Sequence, residues 1–314
     1  MSSNAPVFVR SNFTDLFGTS MLPVLEELFR VELMQHPSRR GDIFKIVSTE
    51  RDIWQATEIH DMPLLNQIPE GTDYTFARPN QGANKTLTPA KYGLGFSISE
   101  EAVEDGKFDF IADAVRKLAR SAMESQEIQA FSVLNNGFSG GSVNSADGLS
   151  VFNTAHTLPS GLTFSNTFTT AADLSVSSLD QALTDFDTNF IGDSGIIYRI
   201  PPKVLLVHSS QRRYALELTG SDLKADTSDN NLNSIKQDAG LRVISSPHLT
   251  DSEAWYLLAD PADTGMRIVS RKPIETKAGG DAVGFLADSI LYKTRYREAI
   301  GVTHAYGIFG TAGV

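Results

Sequence analysis

The chain has 314 residues, 41% of them hydrophobic, which is enough to bury a large core in one domain or in two closely joined ones. Cysteine is absent, so disulfides, thiolate metal ligands, iron–sulfur clusters and thiol nucleophiles are excluded. The net charge of −11 disfavours general attraction to nucleic acid or to anionic membranes. No apolar run approaches the roughly 18 residues of a transmembrane helix, so we expect a cytosolic product without a membrane partner.

The first 97 residues predict an arm, a helix and a long ribbon. Residues 1–20 show no hydrophobic period, whereas the apolar residues of 22–33 recur at helical spacing, and this helix should end before Pro37. From about 45 to 97, two strand-like arms are joined by a polar interval, and the second arm alternates strictly through Tyr92, Leu94, Phe96 and Ile98. Such a ribbon has few core-forming residues and is marginally stable alone. It should therefore pack on another element or on another subunit.

The centre of the chain predicts a long helix followed by a compact α/β unit. Residues 108–135 carry a nearly continuous apolar stripe of helical period, and Gly137 supplies the stop. At about 1.5 Å per residue this helix would be about 40 Å long. Between about 155 and 270, helical and strand patterns alternate, with a buried strand predicted at 203–208. The closing strands around Gly301 must pair with an edge that the sequence does not identify.

The stretch ADGLSVFNTAH, residues 146–156, contains residue types that occur in hydrolytic sites. A triad is defined by geometry rather than by closeness in sequence, and Ser150 lacks the Gly-x-Ser-x-Gly turn that would expose a nucleophile. An Asp-Gly turn followed by an aromatic anchor is the commoner explanation. We therefore predict a structural joint after the long helix, formed by Asp147, Gly148, Phe152 and His156.

The sequence predicts no metal or cofactor site. The six histidines are scattered, with no pair at the spacing of a helical zinc site. Residues 222–234 offer several oxygen ligands but lack the Gly and the distal Glu of a calcium loop. Basic pairs at 39–40 and 212–213 could contact DNA or an acidic neighbour, although a salt-bridged surface is the commoner outcome.

Three stretches follow one another with a spacing that covers nearly the whole chain: KYGLGFSISEEAVEDGKFDFI, ADGLSVFNTAH and LYKTRYREAIGVTHAYGIFG. The first is similar to the point where an extended loop returns and a spine helix starts. The second is similar to an Asp-Gly-x-x-x-Phe-x-x-x-His segment after the spine, and the third to a terminal strand pair. Together they resemble the major capsid proteins of tailed bacteriophages with the HK97-type fold, particularly the Mu-like major head subunits.

The resemblance implies an α+β HK97-type capsid fold with four parts. They are an N-terminal arm at 1–42, an extended β-ribbon loop at 43–97, a peripheral domain at 98–155 and 270–314 with a spine helix at about 108–135, and an axial α/β domain at 156–269.

It also implies a structural function without enzymatic activity: self-assembly into the icosahedral virion shell that encloses the phage genome. The partners would be copies of the chain in hexamers and pentamers, a separate scaffolding protein, a portal protein, decoration proteins in some phages, and double-stranded DNA held without sequence-specific binding. Assembly would take place in the cytoplasm of the bacterial host, with the ribbon lying across a neighbour's spine helix. Two alternatives stay open: an encapsulin-type bacterial compartment shell protein, and a hydrolase using Asp147 and His156.

Candidate assembly contacts lie in the arm and in the loop. They are Arg39, Arg40, Trp54, Lys85, Lys91, Tyr92 and Phe96. In HK97 itself a loop lysine forms an isopeptide bond with an Asn of another subunit, and Lys85 and Lys91 are candidates for this by position alone. Because most relatives lack the bond and no catalytic Glu can be assigned, we expect no crosslinking.

Overall fold

The computed structural model describes residues 22–36, 38–59, 61–74, 76–77, 81–99, 101–102, 105, 107–141, 143–221, 236, 240–279 and 289–314. Its helices are α1 (Leu22–Gln35), α2 (Arg40–Ile43), α3 (Phe108–Asn135), α4 (Val176–Thr188) and α5 (Arg212–Gly220), with a 3₁₀ turn at Ser209–Gln211. Its strands are β1 (Lys45–Ser48), β2 (Trp54–Ile59), β3 (Gln81–Leu87), β4 (Ala90–Ser99), β5 (His156–Thr157), β6 (Thr163–Phe164), β7 (Val204–His208), β8 (Arg242–Ser246), β9 (Trp255–Leu258), β10 (Met266–Gly279), β11 (Ser289–Val302) and β12 (Ile308–Thr311). The mixed α+β class is as predicted. The predicted arm at 1–20 and the polar stretch at 222–234 lie outside the described residues.

The chain forms two compact units, each assembled from three separate stretches. Unit 1 comprises the described residues of Met1–Ser38, Pro89–Glu127 and Ser270–Glu298, and unit 2 comprises those of Arg39–Thr88, Ile128–Val269 and Ala299–Val314. These boundaries differ from those of the four predicted parts. The four parts describe the roles of segments in a shell, and they stay a prediction.

Unit 1 packs two helices on one side of a small sheet. The strands lie in the order β10, β11, β4, and β4 pairs antiparallel with β11, with Ile98 opposite Ile290 and Tyr92 opposite Tyr296. Alternate residues of both strands face α1 and α3, because a pleated strand sends successive side chains to opposite sides. The core that results contains Leu25, Phe29, Ile98, Ile111, Val115, Leu118, Ala119, Ile290 and Tyr292.

The two-stranded ribbon is shorter than the sequence pattern predicts. β2 and β3 pair antiparallel, from Trp54 opposite Leu87 to Ile59 opposite Gln81, with a register shift before Ile59. The alternating arm at 90–99 does not continue this ribbon, because its backbone pairs with β11 and its inward side chains enter the core of unit 1. The sequence did not identify the strand with which the closing strands pair. For β11, that strand is β4.

Helix α3 has the bounds that the apolar stripe predicts, Phe108–Asn135. Its residues up to Glu127 belong to unit 1, and those from Ile128 belong to unit 2. Gly137 follows the helix, and a Cβ at this position would be 2.8 Å from the ring of Phe152. Glycine is thus needed here because of the close approach of the Phe152 ring.

The sheet of unit 2 is buried on both sides. β7 pairs parallel with β8 and antiparallel with β9, which in turn pairs antiparallel with β12. In β7, Val204 and Leu206 belong to one core cluster, whereas Leu205 and Val207 belong to another. A strand covered on both faces has a continuous apolar sequence, which explains the buried strand predicted at 203–208.

Helix α4 has a reciprocal cap at its first turn. The Ser175 hydroxyl accepts from the Ser178 N–H at 3.1 Å, and the Ser178 hydroxyl accepts from the Ser175 N–H at 2.8 Å. We expect Ser175→Ala to lower the free energy of unfolding by about 1 kcal/mol, because a first-turn N–H loses its acceptor. Urea denaturation followed by circular dichroism measures this change. Ser160→Ala, at an exposed loop serine, should shift stability by less than about 0.5 kcal/mol, and an equally small shift for Ser175→Ala would contradict the capping role.

Candidate functional site

The segment predicted as a joint, residues 146–156, contains a tight turn. Asp147 Oδ1 accepts a hydrogen bond from the Leu149 N–H at 3.0 Å, and Gly148 has φ 83°. A side chain at Gly148 would meet open space, so it is the left-handed backbone that favours glycine here. The turn holds the second carboxylate oxygen of Asp147, Oδ2, 2.6 Å from His156 Nδ1.

His156 lies beside this turn and is almost completely buried, with 1% of its surface exposed. Its Nε2 is 3.2 Å from Asn166 Oδ1, and its ring stacks on Phe164 with the centroids 5.0 Å apart. Burial alone would raise the pKa of Asp147, but the hydrogen bond with His156 and its charge outweigh burial, so the pKa of Asp147 is lowered. Asp147 is therefore an ionised acceptor at neutral pH.

Asn166 holds the cluster together and was not among the predicted residues. It is 0% exposed; its Oδ1 accepts from the Asn153 N–H at 2.8 Å, and its Nδ2 donates to the Val151 carbonyl at 2.8 Å. Its own carbonyl accepts from the Gly310 N–H of β12 at 3.1 Å. Because these backbone groups determine which end of the amide is Oδ1, His156 Nε2 also faces an acceptor. Asn166 thus connects the segment 146–156 with the C-terminal strand.

Phe152 anchors the segment beside the end of α3. Its ring stacks on Phe138 at a centroid distance of 4.8 Å and contacts Tyr256 at 5.3 Å. Its N–H donates to the Gly137 carbonyl at 3.0 Å. The structure therefore brings the four predicted joint residues into one folded segment, while their role in bracing a shell subunit stays a prediction.

Lys85 connects the ribbon to the residues just before this segment. Its Nζ donates to the Asn144 carbonyl at 2.6 Å, just before the turn at Asp147. Burial lowers the pKa of Lys85, and the charge of Asp147 opposes that decrease. The hydrogen bond from Lys85 thus attaches β3 to the residues just before the turn.

The geometry does not support a hydrolytic use of His156. Both of its ring nitrogens face Asp147 and Asn166, whereas the Ser150 hydroxyl donates to the Phe152 carbonyl at 3.0 Å. A serine nucleophile needs an imidazole nitrogen as its base, and neither nitrogen is directed at Ser150. Over the described ranges, no group of three or more His, Cys, Asp or Glu side chains could hold a metal ion. Nor does any helix in those ranges have the length and apolarity to cross a membrane.

The sequence matches the model of a family described as phage capsid protein over residues 83–310, which is more than two thirds of the chain. The chain belongs to this phage capsid protein family. No curated protein sequence matches it.

Solved structures show that this capsid protein has the HK97-type fold. It is similar to the capsid of cyanophage P-SCSP1u, with 10% identity over 88% of each chain and a TM-score of 0.59. It is also similar to a structure from Microbacterium phage Oxtober96, with 13% identity over 89% of this chain and 92% of that chain and a TM-score of 0.56. A virus-like particle from Pyrococcus furiosus matches with 11% identity over 93% of this chain and 100% of that chain, at a TM-score of 0.53.

The family match distinguishes a phage capsid protein from other shell proteins that share this fold. Fold similarity alone includes the virus-like particle, whereas the family is one of phage capsid proteins. The protein is therefore a major capsid protein that assembles with its own copies into the capsid shell of a virion. The encapsulin-type alternative is not favoured, and the narrower relation to Mu-like head subunits stays a prediction.

The predicted assembly contacts of the capsid protein are found in both units. In unit 1, Lys91, Tyr92 and Phe96 lie on β4, where Tyr92 stacks on Tyr296 at 5.2 Å and Phe96 contacts Tyr292 at 5.7 Å. In unit 2, the candidates lie at the start of α2 and in the ribbon: Arg39, Arg40, Trp54 and Lys85. The contacts of all seven with other copies stay a prediction.

The capsid protein also exposes a set of apolar side chains that the sequence reasoning did not single out. They lie in the exposed segment, which we define as the described residues 61–74 and 76–77, where the chain forms neither helix nor strand. Leu65 is 100% exposed and Phe76 is 91% exposed. The others are Met62, Leu64, Ile68 and Tyr74. The sequence feature that could have identified this set is the occurrence of six large apolar residues within an interval that is otherwise polar.

Proposed function

We propose that copies of this capsid protein form pentamers and hexamers that close an icosahedral shell around double-stranded phage DNA, and that the exposed segment supplies an essential contact between copies. The exposed apolar side chains carry this proposal. A soluble monomer rarely leaves contiguous large apolar side chains in water, and such sets mark interaction sites. Burying them against another copy would contribute roughly 25 cal/mol for each Å² removed from water.

The proposal extends to the other partners of a shell. A separate scaffolding protein, a portal protein and in some phages decoration proteins would act with the subunit in the cytoplasm of the bacterial host. DNA would be enclosed without sequence-specific binding, since a net charge of −11 gives no general attraction to phosphates. The buried and fully engaged ring of His156 supports a structural subunit without catalysis.

We expect the double variant Leu65→Ser, Phe76→Ser to lose shell formation while the subunit keeps its fold. Both side chains are exposed in the subunit, so replacing them removes apolar surface for a partner without opening a core cavity. Electron microscopy and sedimentation velocity measure assembly, and a thermal unfolding curve checks the fold.

Leu162→Ser is a matched control, because Leu162 is 42% exposed but lies outside the exposed segment. It should assemble like the wild type. Shells in normal yield from the double variant would refute the role of the exposed segment.

A further inference from the structure

The exposed segment is attached to its own subunit at its first residue. Asp61 is the one described residue of the segment that is not exposed. Its Oδ1 accepts a hydrogen bond from the Ser194 N–H at 3.1 Å, and its backbone carbonyl accepts one from the Ser194 hydroxyl at 3.4 Å. The three core clusters of the described residues include no residue of the segment. The contact with Ser194 therefore fixes where the segment starts without making it part of a core.

The turn at residues 191–197 receives Asp61. The first and last residues of this turn pair as an antiparallel bridge, and the Tyr306 hydroxyl donates to the Ile191 carbonyl at 3.2 Å. Gly192 leaves room for the carboxylate of Asp61, because a Cβ at this position would be 2.5 Å from Asp61 Oδ2. The turn is thus held in place by the body of unit 2 and is shaped to accept the carboxylate.

The residues after Asp61 carry this placement to apolar side chains. Met62 precedes Pro63, which favours an extended backbone at Met62, and the ring of Pro63 fixes its own φ at about −65°. Leu64 and Leu65 follow directly and are 73% and 100% exposed. Two conformationally restricted residues thus separate the attachment at Asp61 from these two leucines.

We propose that Asp61 is a positioning residue for assembly: bound in the turn of its own subunit, it fixes the direction in which the exposed segment leaves the ribbon. Leu64 and Leu65 are then presented in one orientation before two copies meet. A surface that is ordered in advance binds more tightly, because less conformational freedom is lost on contact. This inference rests on the proposed function and goes beyond it by assigning the residue that prepares the segment for its contact.

Substitutions of Asp61 test its hydrogen bond with Ser194. Asp61→Ala removes the acceptor and should slow assembly about tenfold, because the competent orientation becomes a minor one, while the thermal unfolding curve of the subunit stays almost unchanged. Asp61→Asn should assemble like the wild type. Its amide oxygen can accept the same bond, and its NH₂ group replaces Oδ2, which has no partner among the described residues. Light scattering measures the rates, and a wild-type rate for Asp61→Ala would overturn the inference, as would an equal defect in Asp61→Asn.

Gly192→Ala tests the same contact without changing Asp61. The added Cβ would displace the carboxylate from the turn, so assembly should be slowed as much as in Asp61→Ala. When Asp61→Ala is already present there is no carboxylate to displace, and the double variant should be no slower than the single one. Gly220→Ala is the matched control, because a Cβ there has no atom within 4 Å, and it should assemble like the wild type. Additive defects in the double variant would contradict the inference.

Distances between spin labels measure the orientation of the segment directly, because the chain has no cysteine of its own. One nitroxide is attached at Leu64→Cys in the exposed segment, and the other at Asp187→Cys, an exposed position on α4. In the unassembled subunit the distance distribution should be narrow with Asp61 and broad with Asp61→Ala. A distribution that stays equally narrow in Asp61→Ala would overturn the inference, because the segment would then be oriented without Asp61.

The outcomes separate this inference from the proposed function. If Leu65→Ser, Phe76→Ser forms no shells while Asp61→Ala assembles normally, the positioning role is overturned and the contact made by the exposed segment is retained. If both variants are impaired and Asp61→Asn is not, the positioning role is supported. Shells in normal yield from Leu65→Ser, Phe76→Ser would overturn the proposed contact of the exposed segment, and this inference with it.

Discussion

Replacing Asn166 by Ala is expected to lower the free energy of unfolding of the subunit by about 3 to 5 kcal/mol, a loss large enough to impair assembly. The amide is 0% exposed and satisfies the Asn153 N–H and the Val151 carbonyl at 2.8 Å each. Alanine would leave both groups buried without a partner. It would also remove the acceptor 3.2 Å from His156 Nε2.

Two further variants make this experiment specific. Asn166→Asp keeps an oxygen acceptor but removes the donor to Val151, so it should also destabilise the subunit if the donated bond matters. Asn136→Ala, at an exposed asparagine that donates to the Ser132 carbonyl at 2.8 Å, should change stability by less than about 0.5 kcal/mol. Urea unfolding of the unassembled subunit measures all three. A shift for Asn166→Ala as small as that of the control would rule out a central role for this side chain.

Asn166 also shows where sequence reasoning ends. The Asp147–Gly148 turn could be predicted, because its conformation depends on local chemistry that the two residues reveal by themselves. The role of Asn166 could not be predicted. It depends on hydrogen bonds with backbone groups 13 and 15 residues earlier in the chain and with β12, which comes much later in the chain. A polar residue in a Ser- and Thr-rich stretch has no sequence pattern that distinguishes a buried amide from an exposed one.

The same distinction applies to the secondary structure. Helix α3 could be predicted to the residue, since an apolar stripe of helical period is repeated along its length. The alternation in β4 identified a strand but not its partner, because period-two patterns state which face is buried and not which strand lies alongside. β11 is about two hundred positions away from β4, whereas the ribbon strands are close to it in sequence. The prediction that β4 belongs to the ribbon relied on this closeness and was wrong.

Acidification from pH 7.5 to pH 5 is expected to cost the subunit roughly 2 kcal/mol of stability through His304. Burial lowers the pKa of His304 to about 4, with the nearby charge of Arg267 as the second cause, and its Nδ1 has no hydrogen-bond partner among the described residues. The folded state therefore favours the neutral ring. Because the folded pKa lies below the ordinary value of about 6.5, the contribution is fully present above pH 6.5 and is lost as the pH falls towards 4.

Between pH 7.5 and pH 5, the effect of His304 on stability can be measured separately from that of Asp147. The pKa of Asp147 is lowered from an ordinary value near 3.8, so the stability that it contributes is retained at pH 5 and lost only at lower pH. His304→Gln removes the titrating ring and should flatten the stability profile between pH 7.5 and 5. His36→Gln, at a histidine whose side chain is 47% exposed, should keep most of the wild-type slope. If His304→Gln retains the wild-type pH dependence in urea unfolding, the buried neutral ring is not its source.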